Sequence, residues 1–153
     1  MRLVVAVVGK PRNAALATAI DDYEKRAARY WPLEVFEVRE ERATGLSHAQ
    51  VKDREGARLL DRAGNARLVA CNPGGKSYDS SQFASWLQRE REAERDIAIV
   101  IGGAYGLSDD IVARASGRLS LALWTLPHEL ARLVLAEQLY RAGSIIRGEP
   151  YHK

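Results

Sequence analysis

A single cysteine, Cys71, stands in a chain of 153 residues. No disulfide can close within the chain, and no cluster of thiolates is available to seed a structural zinc site. Histidine is almost as scarce. His48, His128 and His152 are the only three, and none stands three or four residues from another as paired helical zinc ligands do. No resident metal is expected. Long apolar runs are missing as well. Leu3–Val8 and Ile97–Ile101 are the longest, far short of the ~20 residues needed to cross a bilayer. No basic, then apolar, then small-residue leader precedes the first of them, so the expectation is a cytoplasmic protein without a membrane partner. Charge of one sign is also in short supply, with a formal net charge of only +3, weak for a nucleic-acid binder acting alone. What is present is ordinary for a folded soluble chain: 46% hydrophobic and 28% charged residues. The length suits one domain spanning 1–153.

Periodicity supplies the organisation. Leu3–Val8 is apolar on both faces and reads as a strand buried on both sides, stopped by Gly9-Lys10-Pro11. Asn13 to Arg29 carries Leu16, Ile20, Tyr23 and Ala27 at helical spacing. Leu33–Val38 alternates with period two. Ser47 to Ala63 reads as a charged helix ended by Gly64. Arg67–Cys71 is a third strand, closed by the turn-rich Asn72-Pro73-Gly74-Gly75-Lys76. Asp79, Ser80 and Ser81 offer caps for a helix that turns Phe83, Trp86 and Leu87 inward. Ile97–Ile101 is a fourth strand, and Ser108 caps a short helix through Ala115. Leu119–Trp124 is a fifth strand or an extended loop, and Pro127 opens a helix reaching about Ile146. Strands alternating with helices, several of them apolar throughout, specify an α/β fold with a parallel sheet covered on both faces. Ligands in such folds bind beyond the carboxyl ends of the strands.

Three segments lie at those ends. Gly75-Lys76-Ser77 looks like the end of a phosphate-binding loop, but the glycine required five positions before Gly75 is Ala70, within the strand. No acidic residue ends an apolar strand to hold magnesium, so a Pro-Gly-Gly turn with a solvated lysine is expected. Gly102-Gly103-x-x-Gly106 lacks dinucleotide spacing, yet glycines between an apolar strand and a capped helix suit close approach to a ligand. Leu121-Ala122-Leu123-Trp124-Thr125-Leu126-Pro127 reads either as core strand or as the wall of a pocket for a flat, uncharged heterocycle such as adenosine. Further on, Glu137 and Arg141 are spaced for a helix-surface ion pair, and His128 suits capping or packing. Composition would let the terminal Pro150-Tyr151-His152-Lys153 fray. The same tail offers an aromatic ring, an imidazole and a cation for holding a base and its phosphate.

The runs Ile-Gly-Gly-Ala-Tyr-Gly-Leu (101–107) and Leu-Ser-Leu-Ala-Leu-Trp-Thr-Leu-Pro-His (119–128), with Arg132, Glu137-Gln138, Tyr140-Arg141-Ala142 and the ending Gly-Glu-Pro-Tyr-His-Lys (148–153), resemble the RlmH family. These SPOUT-class methyltransferases act on N3 of a pseudouridine in large-subunit (23S) ribosomal RNA of the assembled ribosome. The resemblance covers essentially the whole chain. It implies S-adenosylmethionine as methyl donor, a deep C-terminal trefoil knot and an obligate homodimer. By position it implies a cofactor pocket of Cys71, Gly102, Leu121, Ala122, Leu123, Trp124, Thr125 and Leu126. The family usually has leucine and then an acidic residue where this chain has Cys71-Asn72, which implies looser apolar contact with the cofactor but unchanged backbone hydrogen bonds.

A pseudouridine N3 must lose its proton as the new bond forms, so a base or an oriented water is required beside it. His152 is the first candidate to contact that nitrogen and His128 the second. Tyr151 would stack or hydrogen-bond, and Arg141 would neutralise charge or grip phosphate. In a dimer the tail of one subunit would complete the pocket of the other. Two competing classes are a ribosome-binding module without methyl transfer and a nucleotide-binding enzyme of another reaction type.

Overall fold

The computed structural model describes residues 1–152; Lys153, the last residue of the tail motif, lies outside the described residues. Strands β1 (Leu3–Val8), β2 (Leu33–Val38), β3 (Arg67–Ser77), β4 (Ile97–Ile101) and β5 (Gly117–Ser120) form one sheet in the order β2-β1-β4-β3-β5. Every pairing is parallel. Helices α1 (Ala14–Ala27), α2 (His48–Ala63), α3 (Ser80–Glu92), α4 (Asp109–Arg114) and α5 (His128–Ile146) lie between or after the strands, and a 3₁₀ turn (Pro150–His152) follows α5.

Alternation along the strands sorts the core into two layers. Leu3, Val5 and Val7 of β1, with Ile97, Ile99 and Ile101 of β4, face one layer with residues of α1, α3 and α5, among them Ala27, Leu87 and Leu135. Val4, Ala6 and Val8, with Ala98 and Val100, face the other, which α2 and α4 close with Leu59 and Ile111. Adjacent side chains of a strand point to opposite faces, so a strand covered on both sides must be apolar at every position. Helix starts follow their caps: Asn13, Ser47, Asp79 and Ser108 each accept a hydrogen bond from a backbone N–H of the first turn.

Three local expectations are corrected. The Pro-Gly-Gly segment does not end β3. The strand bulges between Cys71 and Lys76, both of which pair with Leu119, and runs on to Ser77. A Cβ at Gly75 would lie 2.7 Å from the Arg118 carbonyl carbon, so glycine permits this close pairing. The fifth strand begins earlier than its apolar stretch and ends at Ser120, leaving Leu121–Leu126 irregular. The tail folds back rather than fraying through residue 152.

One buried ion cluster ties the layers on the α1 side. Arg132, 8% exposed, donates from Nε and Nη2 to the two carboxylate oxygens of Glu24 at 2.7 and 3.1 Å, and from Nη1 to Glu37 at 3.0 Å. Burial alone would lower the proton affinity of the guanidinium. The two carboxylates more than offset it, and the pKa is raised. Among the described residues, no helix is long and apolar enough to cross a membrane.

Candidate active site

The carboxyl ends of β4, β3 and β5 open into a cleft of about 480 Å³, a size common for small-molecule sites. Two of the three segments singled out above supply most of its wall, residues 101–107 except Tyr105 after β4 and residues 119–127 except Ser120 and Leu123 around and after β5; after the regular part of β3 the wall takes Cys71–Pro73, and Gly75-Lys76-Ser77 is not in it. His128 and Ala131 of α5 close one side. No lysine, arginine, aspartate or glutamate is among these lining residues. Apart from Asn72, Thr125 and His128, the wall consists of small or apolar side chains.

Close chain contacts explain the glycines. A Cβ at Gly102 would come 2.5 Å from the carbonyl carbon of Gly106, so the loop can double back only with hydrogen there. Gly106 itself turns with φ +82°, and its N–H donates to the Gly103 carbonyl at 3.0 Å. Cys71 sits in the wall as a neutral group: burial pushes its thiol up to about 12, so it offers packing rather than a thiolate nucleophile.

Seven of the eight residues expected to form a cofactor pocket line this cleft: Cys71, Gly102, Leu121, Ala122, Trp124, Thr125 and Leu126. Leu123 does not. It points outward and is 88% exposed; Trp124, although part of the wall, is 83% exposed at its rim. His128 also lines the cleft.

The other candidates lie elsewhere in the chain. Glu137 Oε1 accepts from Arg141 Nε and Nη2 at 2.9 and 2.6 Å, and from the Tyr151 hydroxyl at 3.0 Å. That hydroxyl is also 3.3 Å from the Tyr23 hydroxyl. The Tyr151 ring packs on Tyr140 with centroids 4.4 Å apart, and the Arg141 guanidinium lies 4.8 Å from the Tyr151 centroid. Burial, then the hydrogen bonds to Tyr23 and Glu137, hold the Tyr151 hydroxyl well above its ordinary pKa. The expected surface ion pair is therefore one part of a cluster that anchors the tail. Glu149 adds a second anchor by accepting from the Tyr30 hydroxyl. His152 is exposed. Arg141 stands ten residues along α5 from Ala131 at the cleft, roughly 15 Å at the helical rise. Within one chain the tail cluster and the cleft do not meet.

Sequence reasoning missed the two anchors, Tyr30 and Glu149, and the buried Glu55 behind the glycine loop. Glu55 occupies an inward position in a helix whose charge otherwise reads as solvated surface. Its position among the helix's apolar residues was the available signal.

Comparison with known proteins gives the family. The sequence pattern described as "Predicted SPOUT methyltransferase" matches residues 1–152. The chain is 60% identical over 154 residues to the ribosomal RNA large subunit methyltransferase H of Gemmatimonas aurantiaca, and 47% identical over 154 residues to that of Anaeromyxobacter sp. (strain Fw109-5), each alignment covering all of both chains. A relative of the same name from Listeria monocytogenes is 42% identical over 159 residues, again with both chains fully covered. Among solved structures, a probable methylase family protein from Haemophilus influenzae is similar in fold, with TM-score 0.55 and 12% identity, covering 99% of this chain and 70% of the other. A TrmH/SpoU tRNA-modifying enzyme of A. aeolicus gives TM-score 0.50 and 16% identity, covering 95% and 77%. With its parallel sheet, its glycine-walled cleft and end-to-end identity to these relatives, the chain belongs to the SPOUT methyltransferases and, within them, to the ribosomal RNA large subunit methyltransferase H family.

Proposed function

We propose that the chain, a single domain, is a cytoplasmic enzyme that methylates N3 of a pseudouridine in 23S ribosomal RNA of the assembled ribosome, with S-adenosylmethionine as donor. One observation supports this reading: a cleft without charged side chains at the strand ends, lined by seven of the eight residues expected to hold the cofactor. A nucleotide triphosphate would need cations or a phosphate cradle there, and neither is present in the wall. An adenosine moiety needs backbone hydrogen-bonding groups and apolar packing, which residues 102–107 and 121–126 supply.

The cleft fits the donor by that measure. Cys71, Gly102, Leu121, Ala122, Trp124, Thr125 and Leu126 would hold it, and Leu123, turned outward, would act at the rim. When bound, S-adenosylmethionine supplies an electrophilic methyl group on a sulfonium. The chain's own residues align the nucleophile and take up its proton. His152 is assigned to the target nitrogen, with His128 at the cleft edge as the alternative; Tyr151 orients the base and Arg141 balances charge on it or its phosphate.

The separation of cleft and tail supports a homodimer in which each tail serves the partner's cleft. Exposed Leu123 and Trp124 beside the cleft also favour a covering surface. Family membership supports a deep trefoil knot near the C-terminus. No metal is assigned a role.

The test has two arms. Calorimetry with S-adenosylmethionine, S-adenosylhomocysteine, ATP and NAD is expected to show selective binding of the first two. Mass spectrometry of ribosomal RNA from a deletion strain is expected to lack one methyl group. Binding of ATP or NAD in preference, or an unchanged RNA mass, overturns the reading.

A further inference from the structure

The glycine loop rests on a buried carboxyl group that the proposed chemistry does not use. Glu55, in the middle of α2, is 2% exposed. Its Oε2 accepts from the backbone N–H of Glu41 at 3.1 Å, while its Oε1 has no hydrogen-bond partner. Both oxygens fill the space beside the loop: a Cβ at Gly103 would come 3.0 Å from Oε1 and 3.2 Å from Oε2. Two further contacts join α2 to the same region. The His48 ring stacks on Tyr105 with centroids 3.8 Å apart and planes 19° from parallel. Gly56 brings the helix against Ser108, whose Oγ would lie 3.0 Å from a Cβ at that glycine; Ser108 caps α4, the helix that follows the loop. Residues 102–106 are thus held between the cleft and α2.

Buried polar atoms are nearly always paired, and a carboxyl oxygen left without a partner costs stability. A residue serving packing alone would be better replaced by an apolar side chain. We propose that Glu55 is a positioning residue for the cleft: wedged against Gly103, its carboxyl group fixes the 102–106 wall and so sets affinity for the nucleoside bound there. This rests on the cleft being the S-adenosylmethionine site.

The groups facing Glu55 fix the sign of its pH dependence. The connection after β2 contributes Glu40 and Glu41, α2 contributes Arg58, β1 contributes uncharged Val8, and the glycine loop contributes only backbone. Burial raises the pKa of Glu55 and Glu40 and Glu41 add to this, while the Glu41 N–H and Arg58 oppose it. The neutral carboxyl packs against the loop at lower cost than the ionised form. The ionised form puts a buried charge beside it that the Glu41 N–H and Arg58 offset only in part, so nucleoside affinity falls as pH rises above the ordinary carboxylate range.

Titration calorimetry with S-adenosylhomocysteine, from mildly acid to mildly alkaline pH, tests this. Glu55→Gln cannot ionise and is expected to bind with one affinity throughout, matching the wild type at its acid limit. Glu55→Ala leaves a void behind Gly103 and is expected to bind roughly tenfold more weakly than the glutamine variant at every pH, a difference well resolved by the method. Hydrogen exchange of the peptide spanning 102–106, measured without ligand, is expected to speed up in the alanine variant and not in the glutamine variant. If the alanine variant does not fold, the pH profile of the glutamine variant decides alone. A wild-type pH profile in the glutamine variant, or unaltered loop exchange in the alanine variant, refutes the role of Glu55. Failure of the wild-type protein to bind S-adenosylhomocysteine refutes the reading of the cleft, and this proposal with it.

Discussion

Gly143 of α5 lies directly against the ring of Tyr30: a Cβ at Gly143 would fall 2.6 Å from Tyr30 Cδ2, closer than carbon atoms pack. Tyr30 is in turn the donor that holds Glu149, so the missing methyl group on α5 is connected to the position of the tail. Gly143→Ala is expected to gain about 1 kcal/mol of helix propensity and to lose about 1–3 kcal/mol in overpacking. The net expectation is a lower melting temperature and a Tyr30 ring displaced from Glu149. Proteolytic release of the C-terminal residues, compared between wild type and variant, reads the second effect. The hydrogen bond to Glu149, with burial, pushes the Tyr30 hydroxyl up to about 12, so that hydroxyl keeps its proton, and remains a donor, at neutral pH.

Arg132 is the second point where one residue secures several elements. Its guanidinium joins α1 through Glu24 and β2 through Glu37. Removing one partner of a buried pair typically costs about 3–5 kcal/mol. Arg132→Met is expected near the lower end, because Glu37 retains access to water. Combining it with Glu24→Gln is expected to recover part of the loss, since one stranded charge disappears. Denaturant titration of the single and double variants measures both. A single variant as stable as the wild type would show that the cluster contributes nothing.

The stability of the protein carries a pH signature from Glu55. Its folded-state pKa is raised above the unfolded value, so it contributes stability that is complete below the ordinary carboxylate range. That contribution is lost as pH climbs through the raised folded value. Glu55→Gln lacks the titration. The stability difference, variant minus wild type, is expected to grow in favour of the variant across that window and then level off. Chemical denaturation at a series of pH values provides the check, and a difference that is constant with pH contradicts the assignment.

Much of this architecture is written locally. The bounds of β1 and β4 follow from apolar, β-branched runs and those of β2 from period-two alternation, and the starts of α2, α3 and α4 follow from Ser47, Asp79 and Ser108. The strand-end rule also led to the cleft, which the segments after β4 and β5 line, though Gly75-Lys76-Ser77 after β3 stays out of it. The parts that resisted reading depend on distant partners. Pro73-Gly74-Gly75 carries a turn's composition, yet it continues β3 because β5 accepts it at Leu119. The tail looks free by composition, but Tyr30 and Glu149 are 119 residues apart in sequence. Nothing in the spacing of Leu121–Leu126 distinguishes Leu123, which turns to solvent, from its neighbours, which line the cleft. Glu55 reads as one more charge on a charged helix, and only the arrival of Gly103 behind it gives it a role.

The separation of tail and cleft leads to the most demanding prediction. His152→Ala is expected to abolish methyl transfer while leaving S-adenosylhomocysteine binding intact, because His152 lies outside the cleft wall. Gly102→Val is expected to do the reverse: its side chain would collide with Gly106 and close the cleft, with the tail untouched. If each tail works in its partner's cleft, mixing the two inactive variants creates heterodimers in which one intact cleft meets one intact tail. Random exchange makes half of all dimers mixed, with one working site of two, so about a quarter of wild-type activity is expected to return. If each tail serves its own chain, every site in the mixture lacks one component and no activity returns. Methyl incorporation into ribosomes, measured before and after subunit exchange, separates the two arrangements. Normal turnover by His152→Ala alone would remove that residue from the reaction altogether.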